Sequence, residues 1–99
     1  MERESLGEYV LHKADIAKTL SAYLDVRKKG SAFVAICPFH NDTNPSLSIN
    51  PQKNIFKCFV CGVGGNAITF VMKFAHLSYW EALAKVAQLN GIELPKDIS

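Results

Sequence analysis

The sequence has no long hydrophobic run, few cysteines and little excess of either charge. No stretch of about 18 or more apolar residues occurs, so no membrane-spanning helix is predicted. The first ten residues, MERESLGEYV, contain acidic side chains and lack a long apolar core, which argues against a secretory signal. Three cysteines, an odd number, argue against a disulfide framework, and we therefore expect a reducing, cytoplasmic location.

The formal net charge of +2 is too small to indicate a partner by itself. Any binding of nucleic acid would depend on where the basic residues cluster, because the overall charge supplies little attraction. The 99 residues, of which 48% are hydrophobic, are enough for one small domain. We expect this domain to cover residues 1–95, and residues 96–99 to begin a linker.

Hydrophobic spacing predicts helices at both ends of the chain. Residues 6–26 carry apolar side chains at helical intervals, with a break near residues 13–15. Asn66 is a suitable N-cap for a later helix, and Ser78 with Glu81 forms the S-x-x-E capping box of another. The sequence therefore predicts two short helices before the central region and two after it.

Three short segments between these helices have the composition of strands. AFVAIC is rich in β-branched and aromatic residues, and IFKCF is similar. SLSIN alternates, which places Leu47 and Ile49 on one face and Ser46 and Ser48 on the other. RKKGS, before the first strand, predicts a basic turn at Gly30. The expected fold class is α+β, with helices around a small three-stranded meander.

Two short motifs carry the strongest chemical signal. CPFH places two residues between Cys37 and His40, and CFVC places two between Cys58 and Cys61, which gives the pattern C-x2-H-x17-C-x2-C. Structural zinc takes four sulfur or nitrogen ligands in a tetrahedron, and this spacing lets one tight turn supply two of them. The pattern predicts a single structural Zn²⁺, held by these four residues, that locks the sheet.

A redox pair or ordinary core cysteines remain the alternatives for CFVC. A thioredoxin-like dithiol sits at a helix N-terminus, whereas here the predicted helix starts several residues later and a second ligand pair is present. His12 and His76 have no partner at ligand spacing. Asp25, Asp42 and Glu81 are scattered along the chain, so no pair of carboxylates indicates acid–base catalysis.

The zinc-ligand pattern is part of a longer segment, CPFHNDTNPSLSINPQKNIFKCFVCGVGGNAITFVM. This segment closely resembles the CHC2-type zinc-binding domain at the N-terminus of bacterial DnaG-type DNA primases, and the resemblance extends over about residues 14–95. Two positions depart from the family pattern. Thr43 stands where the family usually has a basic residue, and Val60 stands where it usually has a glycine, which changes the surface of the second ligand turn.

The resemblance implies a zinc ribbon with a small antiparallel sheet flanked by N-terminal and C-terminal helices. It also implies recognition of a single-stranded DNA template, so that a separate catalytic domain can begin an RNA primer. The chain alone is expected to catalyse nothing, and nucleotidyltransferase activity would belong to a full-length primase. Implied partners are the template, the catalytic domain in cis or in trans, and the replicative helicase of the primosome through the full-length protein. The implied location is the nucleoid-associated replication machinery of a bacterial cytoplasm.

Basic, polar and aromatic residues indicate how a template could be held. A single strand binds through a basic track for its phosphates and aromatic rings for its bases. The alternation of side chains along a strand places Phe56 and Lys57 on opposite faces. Phe56, Phe39 and Phe59 are the candidates for stacking on bases. The predicted DNA-binding residues are Arg27, Lys28, Lys29, Lys53, Lys57, Asn44, Ser46, Ser48 and Phe56.

A protein–protein interaction module is the alternative function. A zinc ribbon with apolar closing helices could dock on a replication or transcription enzyme instead of on nucleic acid. The weak net charge favours this alternative, whereas the basic segment RKKGS and the hairpin lysines Lys53 and Lys57 favour DNA.

Overall fold

A break at Asp15 separates the first two helices. The structure is a computed structural model that describes residues 3–41 and 43–94. Helix α1 spans Arg3–Lys13 and helix α2 spans Ile16–Ser21. The Asp15 carboxylate accepts hydrogen bonds from the backbone N–H groups two and three residues ahead, at 3.0 and 3.3 Å. An N-cap of this kind begins a new helix, which confirms the break predicted from the sequence.

The strands form one antiparallel meander. They are β1 (Arg27–Lys29), β2 (Ala32–Ala35), β3 (Leu47–Asn50), β4 (Ile55–Cys58) and β5 (Gly64–Gly65). Within the described residues the sheet therefore has five strands, each hydrogen-bonded to the next along the chain. Together with the helices, this sheet confirms the predicted α+β class.

The sequence predicts neither β1 nor β5. RKK is predicted as a turn, but Lys28 pairs with Phe33, and the turn itself is made by Gly30, at φ 64°. The three basic residues of β1 have a weak intrinsic preference for strands, and backbone pairing with β2 outweighs it. Their charged side chains are tolerated because β1 is an edge strand and all three residues are exposed. In β5, a Cβ at Gly64 would lie 2.9 Å from the backbone oxygen of Phe56, so glycine is needed for the approach to β4.

Two capped helices follow the sheet. Helix α3 spans Ala67–Ala75 and helix α4 spans Tyr79–Leu89. The Asn66 side chain accepts a hydrogen bond from the backbone N–H three residues on, at 2.9 Å. The Ser78 hydroxyl accepts from the Glu81 N–H, and the Glu81 carboxylate accepts from the Ser78 N–H. Both helix starts predicted from capping residues are thus confirmed.

The helices cover one face of the sheet, and Phe70 of α3 lies at the centre of the contact. Leu47, Ile49 and Phe56 share this covered face and are at most 1% exposed. The rings of Phe56 and Phe70 meet edge to face with centroids 5.4 Å apart. Burial of each such side chain contributes about 1.5–3 kcal/mol. No helix in the described part of the chain is long and apolar enough to span a membrane.

Candidate metal centre and adjoining sheet face

The strand directions bring the two ligand pairs to one end of the sheet. Strands β2 and β4 flank β3 and both run antiparallel to it. They therefore run in the same direction, and their C-terminal residues lie at the same end of the sheet. The register aligns Ala35 in β2 with Leu47 in β3 and Cys58 in β4. Cys37 therefore leaves β2 near the point at which β4 ends in Cys58.

The four predicted ligands form a compact cluster in which the ligand atoms all lie within 4.8 Å of one another. The sulfurs of Cys37 and Cys61 are 3.7 Å apart, and His40 Nδ1 lies 4.0 Å from Cys58 Sγ. Zinc–sulfur bonds of about 2.3 Å in a tetrahedron place two sulfurs roughly 3.8 Å apart, whereas a disulfide needs about 2.05 Å. The cysteines are unbridged, and the cluster has the dimensions of a tetrahedral zinc site.

The second ligand turn is built around the Cys58 sulfur. The backbone N–H groups of Val60 and Cys61 both donate to Cys58 Sγ, at 3.4 Å each. The Ser46 hydroxyl lies 3.4 Å from the same sulfur. The N–H of Gly62 donates to the Cys58 carbonyl oxygen at 3.1 Å, and Gly62 has φ 79°. Since this left-handed backbone favours glycine, Gly62 lets the chain fold back directly after the last ligand.

Burial and hydrogen bonding act in opposite directions on these thiols. Burial disfavours ionisation of Cys58, but hydrogen bonds from the N–H groups of Cys61 and Val60 and from the Ser46 hydroxyl outweigh it and lower the pKa to about 6. Burial raises the pKa of Cys37 to about 12, and the neighbouring thiols add to this effect. Cys58 therefore ionises before Cys37, and a bound cation would supply the charge that Cys37 needs to ionise.

The cluster is anchored to the hydrophobic core on one side. Cys37 and Cys58 are 1% and 0% exposed, whereas Cys61 is exposed to solvent. Phe39, which lies between the first two ligands, is half-buried, and its ring meets Phe70 with centroids 5.6 Å apart. Four protein ligands leave no coordination position for a substrate, so a zinc ion here stabilises the fold and does not act as a catalyst.

The strand register also defines the sheet face that lies opposite the helices, which we call the outer face. Its central row contains Arg27, Val34, Ser48 and Lys57, aligned from β1 to β4. Side chains two residues apart on a strand share a face, so the rows on either side belong to the same surface. The outer face comprises Arg27, Lys29, Ala32, Val34, Ile36, Ser46, Ser48, Asn50, Ile55, Lys57 and Phe59.

Most of the predicted DNA-binding residues lie on the outer face or at its margin. Those on the face are Arg27, Lys29, Lys57, Ser46 and Ser48. Lys28 is one residue out of step, so its side chain leaves β1 on the opposite side, although it is exposed. Lys53 is exposed in the turn between β3 and β4, and Asn44 is exposed in the loop that precedes β3.

Phe56 lies in the core, and the expectation that it stacks on DNA bases is therefore wrong for this structure. It is 1% exposed, and the side of the sheet to which it points is the side that packs on Phe70. Phe59 is 74% exposed and Val60 is 68% exposed, at the tip of the second ligand turn. The N–H of Phe59 donates to the Ser46 carbonyl at 3.1 Å, which keeps Phe59 in the register of the outer face.

The sequence reasoning misses the apolar side chains that accompany the basic ones on the outer face. Ile36 and Ile55 are 50% and 42% exposed there. One signal could have revealed them. Leu47 is buried, so every residue that shares its side of the sheet points inwards, and the strand register places the alternate residues, which include Ile36 and Ile55, on the solvent side. His12 and His76 are exposed and lie outside the metal cluster.

The meander sheet, the flanking helices and the Cys3His cluster at one sheet end together define a zinc ribbon. Comparison with known proteins gives the same class, since the family described as CHC2 zinc finger matches residues 2–99. The chain is 45% identical over 92 residues to a DNA primase of Campylobacter jejuni and 48% identical over 80 residues to that of Aquifex aeolicus. These alignments cover 93% and 81% of this chain but only 15% and 16% of those proteins.

A solved structure agrees with the sequence comparisons. The crystal structure of the Aquifex aeolicus primase zinc-binding and RNA polymerase domains matches with a TM-score of 0.82 and 42% identity, over 95% of this chain and 24% of that chain. The chain belongs to the CHC2 zinc finger family. Family and cluster together confirm the predicted zinc cofactor, and the chain is a zinc-binding domain of the DNA primase type.

Proposed function

We propose that this chain is the template-recognition module of a DNA primase and that it binds single-stranded DNA on the outer face of its sheet. The observation that carries the proposal is the combination found on that face: Arg27, Lys29 and Lys57 share it with polar Ser46 and Ser48 and with an exposed aromatic ring. Single-stranded DNA needs cations for its phosphates and π-surfaces for its bases. The outer face offers both cations and an aromatic ring on aligned positions of neighbouring strands.

The charges on this face are arranged to follow a strand of DNA. Arg27 and Lys57 occupy opposite ends of the central row, with Val34 and Ser48 between them. Arg27 also pairs with Asp25, at 2.9 Å, but both side chains are mostly exposed. Fully exposed ion pairs of this kind contribute little net stabilisation, so a phosphate can share the Arg27 guanidinium with the carboxylate or displace the carboxylate from it.

Phe59 gives the face a stacking surface next to the zinc site. Its ring lies just after β4, one residue beyond Cys58, so the metal fixes the backbone that presents it. Stacking of one base on an aromatic side chain is worth about 1–3 kcal/mol. Zinc then acts indirectly in this proposal, because it holds the turn that positions Phe59.

Catalysis belongs to the rest of a full-length primase in this proposal. The zinc-binding domain would hold the template while the catalytic domain, in the same or a neighbouring molecule, begins the RNA primer. Contact with the replicative helicase would be made through the full-length protein, and the site of action would be the cytoplasmic replication machinery. The sequence boundary proposed for the domain, residue 95, and the proposed linker, 96–99, lie outside the described residues.

The decisive experiment measures binding of short fluorescent single-stranded oligonucleotides by the zinc-loaded chain at several salt concentrations. Lys57→Ala is the test variant, and Lys73→Ala on α3 is the matched control, because both lysines are exposed but only Lys57 lies on the outer face. Each lost phosphate contact should lower the salt slope by about 0.7. Equal slopes for Lys57→Ala and the unmodified chain would overturn the basic-track proposal.

Docking on a protein is the second candidate function, favoured by one observation. Phe59 and Val60 form an exposed apolar tip, and apolar surface is common at protein interfaces. If Phe59→Ala leaves binding of single-stranded DNA unchanged but weakens binding of an isolated primase catalytic domain, the tip serves protein docking and not base stacking.

A further inference from the structure

Ser46 lies at the point where the metal cluster meets the outer face of the sheet. Its hydroxyl oxygen is 3.4 Å from Cys58 Sγ, and its backbone carbonyl oxygen accepts a hydrogen bond from the Phe59 N–H at 3.1 Å. Ser46 is half-buried, and Cys58 is 0% exposed. Two groups of one serine therefore contact two consecutive residues of the second ligand turn, a metal ligand and the exposed aromatic residue that follows it.

The direction of the hydrogen bond between Ser46 and Cys58 is determined by the metal. Cysteine binds zinc as the thiolate, which has no proton to donate. In the zinc-loaded chain the Ser46 hydroxyl is therefore the donor and the sulfur is the acceptor. The single hydroxyl proton is then committed to the metal cluster, and Ser46 can offer other partners only the lone pairs of its oxygen.

Ser46 brings a third hydrogen bond to one ligand atom. The N–H groups of Val60 and Cys61 also donate to Cys58 Sγ, at 3.4 Å each, but both belong to the ligand turn itself. Ser46 reaches the sulfur from the residue that precedes β3, twelve positions before Cys58. Groups that hydrogen-bond to a metal ligand fix its orientation. The backbone donors survive any substitution other than proline, whereas the Ser46 donor can be removed by mutation.

We propose that Ser46 is a positioning residue of the zinc site, whose hydroxyl donates to the Cys58 thiolate and holds it in the orientation that binds the metal. A phosphate oxygen only accepts hydrogen bonds, so a hydroxyl whose proton is on sulfur cannot donate to DNA. Ser48, which is paired with Lys57 in the central row of the outer face, is then the serine that donates to DNA. This last step rests on the proposed function, whereas the role in zinc binding does not.

The first test measures zinc affinity by competition with a chelator of known affinity. Ser46→Ala should bind zinc roughly 10- to 100-fold more weakly than the unmodified chain, as is typical when a partner of a metal ligand is lost. Ser46→Thr keeps the hydroxyl and should retain most of the affinity. An unchanged affinity in Ser46→Ala overturns the proposal.

Ser78→Ala is the matched control for this test. It removes a serine hydroxyl that also makes a hydrogen bond, at the N-cap of α4, and Ser78 is outside the metal cluster. Because zinc binding is coupled to folding, a weaker fold alone lowers zinc affinity, and this effect appears in both alanine variants. The loss in Ser46→Ala should be clearly the larger, and equal losses in the two variants overturn the proposal.

Cadmium NMR gives a measurement that a purely structural role would not change. Cd²⁺ replaces zinc, and its resonance responds to the electron donation of the bound sulfurs. With every sample saturated with the metal, the resonance should shift in Ser46→Ala and should stay in place in Ser78→Ala. An unchanged resonance in Ser46→Ala overturns the role of the hydroxyl, whatever the zinc affinities are.

Oligonucleotide binding tests the second step of the proposal. At saturating zinc, Ser46→Ala should bind single-stranded DNA as tightly as the unmodified chain, and Ser48→Ala should bind it roughly 3- to 10-fold more weakly, as expected for one hydrogen bond. The reverse result, with weaker binding by Ser46→Ala alone, overturns the commitment of its proton to sulfur. If the unmodified chain binds no DNA, the proposed function fails, and the zinc affinities and cadmium resonances still decide the role of Ser46.

Discussion

Two phenylalanines three residues apart give the sharpest test of how the sheet presents its faces. Phe56 is 1% exposed and packs on Phe70, whereas Phe59 is 74% exposed beside the metal cluster. Truncating each ring to alanine should therefore produce opposite consequences. Phe56→Ala should remove stability, and Phe59→Ala should remove affinity for single-stranded DNA.

The magnitudes follow from burial. Loss of a fully buried phenylalanine costs about 3–5 kcal/mol, which is a large part of the roughly 5–15 kcal/mol that holds a small domain folded. Phe59→Ala removes a mostly solvated ring, so the unfolding free energy should change by no more than about 0.5 kcal/mol. Loss of one base stack should weaken DNA binding by about 1–3 kcal/mol, which is roughly 5- to 150-fold in Kd.

Both quantities can be measured on the same preparations. Urea unfolding with zinc present gives the free energy of unfolding, and fluorescence anisotropy with a labelled oligonucleotide gives Kd. Phe56→Leu is a useful control, because it keeps a large apolar side chain at the buried position and should cost less stability than alanine. A stable Phe56→Ala variant with weakened DNA binding, paired with a Phe59→Ala variant that is unfolded, would refute the assignment of the two faces.

Three further predictions concern the elements that hold the site. Ser78→Ala removes the hydroxyl of the α4 capping box and should lower the free energy of unfolding by about 0.5–2 kcal/mol in urea melts; no change would show that the box is unimportant. Gly65→Ala should lower the free energy of unfolding by about 1–3 kcal/mol. This loss should exceed that of Gly30→Ala, because at φ 148° a Cβ on residue 65 would lie 2.9 Å from the Thr69 side chain, whereas a Cβ on residue 30 would have no neighbour within 4 Å. Chelation should remove a stabilisation on the order of 10 kcal/mol and unfold the sheet by circular dichroism, reversibly on adding Zn²⁺ but not Mg²⁺; an unchanged spectrum would contradict a structural metal.

Local chemistry explains why the ligands and helix starts could be predicted from the sequence. The two ligand pairs, the Asn66 cap and the capping box at Ser78 each depend on residues within a few positions of one another. Alternation in SLSIN and IFKCF correctly predicts which side chains share a face. It does not by itself determine which face is inward, and for this reason it leaves Phe56 as a candidate for stacking on DNA although Phe56 packs in the core.

The features that could not be predicted depend on contacts between distant parts of the chain. Strand β1 consists of three basic residues and is a strand only because β2 pairs with it. Strand β5 is two glycines, a composition that usually disfavours strands, and it forms because β4 offers an open edge. A cavity lined by Tyr23, Val34 and Pro45 likewise combines residues from three separate segments of the chain.

X-ray absorption at the zinc edge of the purified chain, together with elemental analysis, tests the central claim most directly. We predict one zinc per chain, with three sulfur neighbours at about 2.3 Å and one nitrogen at about 2.0–2.1 Å. Cys37, Cys58 and Cys61 should then resist alkylation until a chelator is added. A folded chain without zinc, or a zinc ion with oxygen ligands and alkylatable cysteines, would contradict the account.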